Sequence, residues 1–378
     1  MSSRPEVPFE DCDTTNAEVN KLMQPGLVDS LQKSQSILIW GDVLRLFRSQ
    51  DPGKTEWFLG TRSPQEALAC TLLAQGTYGR ILQAPRQSSV WKVPYISDER
   101  LPLGSPRWVQ HLQEACYGLL AEYLIQTELQ AQWANYRALH TSENIPPWLV
   151  APVSTSYCFH WHRFDLNVPV VELEKIDGTL YDLLFQPSPN SEAWLFDAVD
   201  QIACLREHCA RARIRFNHRD SHPHNIYFKK VDSDLQFMFG DLGMSCVVSG
   251  TATLTYQQVY AYTRDKVRSC DNSVHDLRIL LFSLYEYFCN YPSLGLTYPE
   301  FDAWLQFYFT NNFFNTSFGQ DFWDKNGAVF NDPQTWFFHQ AYDDLIDLEG
   351  ENWKCFLPQA ILTGLRAWGK NKNKGHGT

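Results

Sequence analysis

The chain has 378 residues, of which 44% are hydrophobic and 14% aromatic, so a large core can form and extensive disorder is excluded. Its 32 basic and 43 acidic residues give a formal net charge of -11, which disfavours nucleic acid and anionic membranes as partners. No stretch reaches the roughly 18 apolar residues of a membrane span, and the polar start is unlike a signal peptide. We therefore expect an intracellular protein with reduced cysteines, because its 10 cysteines include no CxxC pair.

The first informative pattern is a glycine-containing turn followed by a short strand. Gly76 and Gly79 precede Ile81, and glycines permit a tight turn whose backbone amides can approach a phosphate closely. Thirteen residues after Gly79, the run Val90-Trp91-Lys92 reads as a strand. Strand alternation places Val90 and Lys92 on one face of it.

A long helix is predicted next, over residues 107–139, because apolar and small residues recur at helical spacing from Leu112 to Leu120. This helix carries Glu114 and, two turns later, Glu122, which lies near the same face. Further along, residues 168–175 read as a strand that ends in Leu173-Glu174-Lys175.

The densest pattern is the run from 218 to 225, His-Arg-Asp-Ser-His-Pro-His-Asn. Asp220 and Asn225 stand five residues apart, a spacing that phosphoryl-transfer enzymes use to place a base beside a metal ligand. The following residues up to Phe239 predict a hairpin, which would bring Asn225 and Asp241 to the same end. Two side chains with hard oxygen atoms at one place predict a magnesium site.

In this order, the patterns resemble the Gly-rich loop, the VAIK strand, the catalytic loop and the DFG element of the eukaryotic protein kinase superfamily. The resemblance covers roughly residues 70–290. The histidine at 222, where Ser/Thr kinases have lysine, is similar to haspin-like and large-DNA-virus kinases. The resemblance to these kinases implies a serine/threonine kinase that uses ATP and magnesium to phosphorylate a protein substrate. We expect the protein in the cytoplasm or nucleus, and in those of a host cell if the source is viral.

Roles follow from the resemblance residue by residue. Asp220 is implied as the base for the acceptor hydroxyl, and Asn225 and Asp241 as magnesium ligands. Lys92 is implied as the anchor of the α and β phosphates, and His222 as a hydrogen-bond donor to the γ-phosphate. Arg219 completes the implied catalytic set. It matches the arginine that precedes the base in kinases regulated by loop phosphorylation.

The implied ATP-binding set combines the phosphate loop, the adenine pocket and the hinge. Its members are Gly76, Gly79, Ile81, Val90, Lys92, Glu114, Leu173, Glu174 and Lys175. Glu114 is the first choice as the ion-pair partner of Lys92, with Glu122 as the alternative. Asp276, which precedes a strongly apolar helix, resembles the buried aspartate that ties a kinase helix to the catalytic loop, and the alternative reading is a helix-terminal carboxylate.

The resemblance implies an α+β fold with two lobes, an antiparallel sheet with one long helix in the N-lobe and a mainly helical C-lobe. We expect an acidic flexible leader at 1–35, the N-lobe at 36–175, the C-lobe with an aromatic-rich C-terminal extension at 176–369 and a basic tail at 370–378. The aromatic side chains of the extension are expected to be core.

Three functions remain open. Ala74 replaces the first glycine of the loop, and no proline or glutamate stands between Gly243 and Asp276 to form the APE element that closes a peptide-docking segment. A protein kinase, a small-molecule kinase of the aminoglycoside or choline phosphotransferase type, and a pseudokinase scaffold all fit some of the pattern. The sequence names no physiological substrate and no oligomeric state.

Overall fold

The structure is a computed structural model that describes residues 71–75, 79–83, 89–94, 105–161, 166–249, 252–255, 270, 273–330 and 351–375. The chain divides into two units. The first contains residues up to Ala131, Ala151–Lys175 and Val248–Tyr260, and the second contains Gln132–Val150, Ile176–Val247 and the chain from Ala261 onwards. The leader at 1–35 and Gly76 lie outside the described residues.

The first unit contains a five-stranded sheet in the order β1-β2-β3-β5-β4, with each neighbouring pair antiparallel. The strands are β1 (Thr71–Gln75), β2 (Gly79–Gln83), β3 (Ser89–Pro94), β4 (Val153–Trp161) and β5 (Leu166–Glu174). β-Branched side chains in β3 and β5 form the buried face, since Val93 is 0% and Val170 is 1% exposed. The strands predicted at Val90–Lys92 and 168–175 are thus confirmed.

One long helix, α1 (Pro106–Leu139), follows the third strand and confirms the helix predicted over 107–139. It begins where Ser105 Oγ accepts a hydrogen bond from the backbone N–H of Trp108 at 3.3 Å, with Pro106 in the first turn. Ala115 and Cys116 form part of its buried face. Residues of α1 after Ala131 belong to the second unit.

The second unit is mainly helical. Its helices are α2 (Leu180–Phe185), α3 (Ser191–Ala212), α4 (Ser273–Asn290), α5 (Pro292–Thr297), α6 (Pro299–Phe309), α7 (Ser317–Phe330) and α8 (Pro358–Gly375). Short 3-10 segments cover Pro223–Asn225, Leu242–Met244 and Glu351–Phe356, and a π-helical turn covers Thr310–Phe314.

The strands of the second unit are short: β6 (Gly178–Thr179), β7 (Phe216–Asn217), β8 (Ile226–Val231), β9 (Asp234–Phe239) and β10 (Cys246–Ser249). β6, β8 and β9 pair antiparallel in one sheet, and β7 pairs antiparallel with β10. From Val248 onwards, β10 belongs to the first unit together with β11 (Ala252–Thr255). The predicted hairpin is confirmed, with its turn at Asp232-Ser233.

Aromatic side chains form the core around α4, as predicted. The Phe282 ring lies 4.9 Å from Phe309 and 5.3 Å from Phe313 between ring centroids, and all three side chains are buried. Phe307 is the exception to the predicted core, because 45% of its side chain is exposed on α6.

The fold class and the division into units can both be read from this architecture. The described residues combine helices with antiparallel sheets, as an α+β protein does. The division into units differs from a split at 175/176 alone, since residues 132–150 group with the second unit and 248–255 with the first. Among the helices of the described residues, none combines the length and apolarity that a bilayer crossing requires.

The expectation that all cysteines are reduced is wrong for one pair. Cys246 in β10 and Cys270, shortly before α4, form a disulfide with a Cα–Cα distance of 5.8 Å. The fold brings these side chains together although they are separated by 24 positions in the sequence. The spacing rules for metal and redox motifs contain no information on such a pair.

Candidate active site

In the first unit, Lys92 is held by an ion pair. Its Nζ donates to Glu122 Oε1 at 2.8 Å and Oε2 at 2.7 Å, and the two side chains are 14% and 7% exposed. Glu122, the alternative in the sequence analysis, is therefore the partner, and the first choice, Glu114, is corrected. Eight residues of α-helix separate the two glutamates by about 12 Å along the axis, so one ammonium group cannot bind both.

Neighbouring strands place the other residues of the predicted ATP-binding set around Lys92. Ile81 lies opposite Lys92 in the β2–β3 register, and Val90 lies opposite Leu173 in the β3–β5 register. A Cβ atom at Gly79 would lie 3.3 Å from Lys92 Cε, so the glycine leaves room for the lysine side chain. Val90 and Leu173 are buried, and Ile81 is partly exposed.

The predicted hinge residues have sheet and side-chain partners. The backbone N–H of Glu174 donates to the Pro152 carbonyl at 2.9 Å. The N–H of Glu174 is therefore already bonded within the sheet and does not serve adenine. Lys175 is exposed, and its Nζ donates to Gln83 Oε1 at 3.0 Å.

In the second unit, the loop with the candidate base is anchored by Asp276 of α4. The backbone N–H of His218 donates to both carboxylate oxygens of Asp276 at 3.0 Å, and the N–H of Arg219 donates to Oδ1 at 2.9 Å. Arg206 Nη1 lies 3.3 Å from Asp276 Oδ2, and Asp276 is 0% exposed. The predicted tie between this aspartate and the loop is confirmed. Ser221 Oγ also donates to the Asp276 carbonyl, at 2.6 Å.

His218 connects the loop to the segment before Asp241. Its Nε2 lies 2.6 Å from the Gly240 carbonyl and must carry the hydrogen in that bond, because a carbonyl only accepts. Nδ1 is then an acceptor for the backbone N–H of Asp220, at 3.2 Å. A neutral His218 thus links Asp220 of the loop to Gly240, the residue before Asp241.

Asp220 and Asn225 are in direct contact. Asn225 Nδ2 donates to the Asp220 carbonyl at 2.9 Å and to Asp220 Oδ2 at 3.0 Å. These bonds orient the amide so that its Oδ1 is the atom left for a metal ion. Asn225 is buried, whereas Asp220 is partly exposed and can meet an acceptor.

His222 adjoins the same carboxylate. Its Nε2 lies 3.5 Å from Asp220 Oδ1 and 3.2 Å from Asn225 Nδ2. Burial lowers the pKa of His222, but its hydrogen bond to Asp220 and the charges of Asp220 and Asp241 outweigh that effect, so the pKa is raised from its ordinary value. The pKa of His222 therefore reflects the carboxylates around the ring.

The hairpin brings Asn225 and Asp241 to the same end, as predicted. Ile226 pairs with Phe239, and the N–H of Gly240 donates to the Asn225 carbonyl at 2.9 Å. A Cβ at Gly240 would lie 2.0 Å from Tyr227 Cε2, so only glycine fits immediately before Asp241. Asp241 is exposed and has a left-handed backbone with φ 49°.

The oxygen atoms of Asn225 and Asp241 suit magnesium, which is commonly bound by one or two protein side chains together with water and substrate phosphates. Within the described ranges, no group of three or more histidine, cysteine or acidic side chains is arranged to hold a metal ion. Such a site therefore depends on phosphate and water for its other ligands.

Arg219 is the one member of the predicted catalytic set that is almost fully covered. Its side chain is 2% exposed, and its backbone has φ 68°. The contact with Asp276 explains the position of its backbone. The link from Arg219 to a phosphorylated loop stays a prediction.

Sequence reasoning missed a ring contact at the edge of the loop. Tyr181 of α2 stacks on His224, with ring centroids 3.8 Å apart and planes inclined by 20°. His224 lies in the run from 218 to 225, but no spacing rule connects it with Tyr181, which is far away in the sequence. The contact exists only once β6 and β8 have paired.

Comparisons with known proteins add little to this geometry. No protein-family model and no curated protein matches the chain. One solved structure, "WaaP in complex with acyl carrier protein", aligns with a TM-score of 0.33 and 13% identity over 75% of this chain and 98% of that chain. Such a distant alignment carries no weight for the function.

Proposed function

We propose that the chain is a phosphotransferase that moves the γ-phosphate of ATP to a hydroxyl group, with protein serine or threonine as the first acceptor class. The observation that carries the proposal is the contact between Asp220 and Asn225, at 3.0 Å, in a loop fixed by Asp276. A partly exposed carboxylate beside a metal-binding amide is what a hydroxyl acceptor requires.

In the proposed reaction, the acceptor oxygen attacks the γ-phosphorus and a new P–O bond forms. The bond from the γ-phosphorus to the β,γ-bridging oxygen breaks, and its electron pair leaves with ADP. Asp220 orients the acceptor hydroxyl and accepts its proton. Alignment and charge stabilisation supply most of the acceleration in such transfers.

Asn225 and Asp241 would hold magnesium, which supplies neutralisation of the phosphate charge when it is bound. Lys92 would bind the α and β phosphates, and Glu122 would hold the ammonium group in position for them. Ile81, Val90 and Leu173 would cover adenine.

A small-molecule kinase is the second candidate, and it is favoured by His222. The pattern His218-x-Asp220-x-His222-Pro223-x-Asn225 matches aminoglycoside and choline phosphotransferases equally well, and the missing APE element is expected there. A pseudokinase scaffold is the third candidate. It is disfavoured because Lys92, Asp220, Asn225 and Asp241 are all present.

The test uses the purified full chain with radiolabelled ATP and magnesium. Casein and histone serve as protein acceptors, and small alcohols and amines as the other class. We expect label in an acceptor, and none after the magnesium is chelated. Asp220→Asn should lower turnover by roughly 10²–10⁴-fold while nucleotide binding persists. ATP binding without any turnover by the wild type would indicate a scaffold.

His222 can be tested in the same assay. We expect His222→Ala to lower turnover without abolishing ATP binding, because the imidazole lies 3.5 Å from the candidate base Asp220 and so close to the proposed transfer. Nucleotide affinity and turnover are measured on the same preparation. Unchanged turnover would reject a catalytic role for His222.

A further inference from the structure

The stacked rings of Tyr181 and His224 lie at the edge of the candidate site and have no role in the proposed chemistry. His224 is exposed and Tyr181 is partly exposed. The Tyr181 ring is held from behind by Phe185 at 4.6 Å and Tyr287 at 5.7 Å between centroids. The stack is therefore fixed by the fold, while His224 still reaches solvent.

The stack continues directly from the candidate base. His224 immediately precedes Asn225, and its ring lies 5.6 Å from the His222 ring at an angle of 75°. His222 in turn lies 3.5 Å from Asp220. A group that binds on the stack would thus lie beside the hydroxyl that Asp220 orients.

Carboxylates act on this surface. Asp182, the neighbour of Tyr181, accepts hydrogen bonds from Thr179 N and Thr179 Oγ1, both at 2.8 Å and both through Oδ2. Among the described residues, no hydrogen-bond partner is assigned to Asp182 Oδ1. His224 also interacts with the charges of Asp182 and Asp220. The stack therefore presents two aromatic rings near two negative charges.

Aromatic faces next to carboxylates are the combination that recognises organic cations, through cation–π attraction and charge pairing. We propose that Tyr181, His224 and Asp182 form an acceptor subsite for a positively charged group carried next to the phosphorylated hydroxyl. The inference rests on the proposed function. The cation could be an arginine or lysine of a polypeptide or the ammonium group of a small amino alcohol.

Two matched acceptor pairs test the subsite and distinguish these sources. One pair is a serine peptide flanked by arginines and the same peptide with citrulline, which is uncharged. The other pair is choline and its uncharged isostere, 3,3-dimethylbutan-1-ol. For the wild type, we expect the charged member of at least one pair to have a kcat/KM at least about tenfold higher.

His224→Ala, Tyr181→Leu and Asp182→Asn should each reduce this preference through the KM for the acceptor, while the KM for ATP stays unchanged. Leucine keeps apolar packing at 181, and asparagine keeps a hydrogen-bond acceptor for the cap at 182. His140→Ala is the matched control, because the His140 ring also packs against a tyrosine ring, that of Tyr136, with centroids 4.4 Å apart and planes inclined by 41°. It should leave the preference intact.

Each outcome assigns a cause. Preference confined to the peptide pair identifies a basic polypeptide acceptor, and preference confined to choline identifies a small cation. Equal use of both members by the wild type, or an undiminished preference in all three variants, overturns the inference while the phosphotransferase proposal stands. A raised KM for ATP in His224→Ala would assign the ring to nucleotide binding and also overturn it. No transfer to any acceptor by the wild type would instead overturn the proposed function.

Discussion

The candidate base and the candidate phosphate lysine are held in place in different ways. The loop before Asp220 is fixed by Asp276, which is 0% exposed, accepts from two backbone N–H groups and pairs with Arg206. Lys92 forms an ion pair with Glu122, in which the two side chains are 14% and 7% exposed. Loss of the first anchor should therefore weaken the fold, whereas loss of the second should mainly weaken nucleotide use.

The largest effect is expected for Asp276→Asn. The change leaves the Arg206 guanidinium buried without its counter-charge, and breaking a buried pair costs about 3–5 kcal/mol of unfolding free energy. Chemical denaturation measures the loss. Asp321→Asn, an exposed position on α7, is the control and should change stability by less than about 0.5 kcal/mol. Equal stability of both variants would mean that the anchor is not structural.

The disulfide offers a second way to weaken the same region. We expect the double variant Cys246→Ser, Cys270→Ser to lose about 3 kcal/mol of unfolding free energy, because the cross-link closes a loop over 24 positions. Non-reducing peptide mapping detects the linked pair. If reduction of the wild type leaves its melting temperature unchanged, the bond does not stabilise the protein.

Glu122→Gln tests the other side of the comparison. A partly exposed charged hydrogen bond contributes about 1.4 kcal/mol, which corresponds to a factor of 10 in binding. Losing the charge that positions Lys92 should therefore lower kcat/KM for ATP by roughly 10-fold. The unfolding free energy should change little. Glu114→Gln on the same helix is the matched control. A larger loss of activity in Glu114→Gln would reverse the assignment of the partner.

A pH-dependent effect concerns acid stability. Burial, with the charges of Arg278, Arg219 and Arg206, holds the pKa of His275 well below its usual value. The folded state keeps this ring neutral, while the unfolded chain binds a proton near pH 6.5, so stability is present above that pH and falls as the pH drops. The slope from this residue approaches about 1.4 kcal/mol per pH unit.

His275→Gln isolates that contribution. Denaturation midpoints of the wild type and the variant are compared between pH 7.5 and pH 5, a range chosen to span the usual histidine pKa of about 6.5. The difference in stability between the two proteins should shrink or change sign as the pH falls. A constant difference over this range would show that His275 does not titrate between the folded and unfolded states.

Much of the second unit was predictable because its signals are local. The hairpin from Ile226 to Phe239 follows from alternation and a polar turn, and its ends place Asn225 and Asp241 together. The role of Asp276 was implied by the kinase resemblance, with a helix-terminal carboxylate as the alternative, and its contacts with the loop support the first reading. These elements need only short-range rules and one long-range contact.

The remaining features depend on tertiary geometry that no spacing contains. Helical periodicity places Glu114 and Glu122 near one face, and only the position of β3 against the helix selects Glu122. Likewise, the hydrogen bond from the Glu174 N–H to the Pro152 carbonyl forms only when these two segments lie side by side. The stack of Tyr181 on His224 and the bond between the two cysteines require the folded chain.

At Asp241 the backbone is left-handed, with φ 49°, so stability favours a different residue from the one that the proposed magnesium site needs. A residue with a side chain gives up about 1 kcal/mol in this conformation, which glycine adopts freely. Laboratory evolution that selects only for heat resistance should therefore accumulate glycine at position 241. The resulting proteins would be more stable and would lack the carboxylate that we propose binds magnesium.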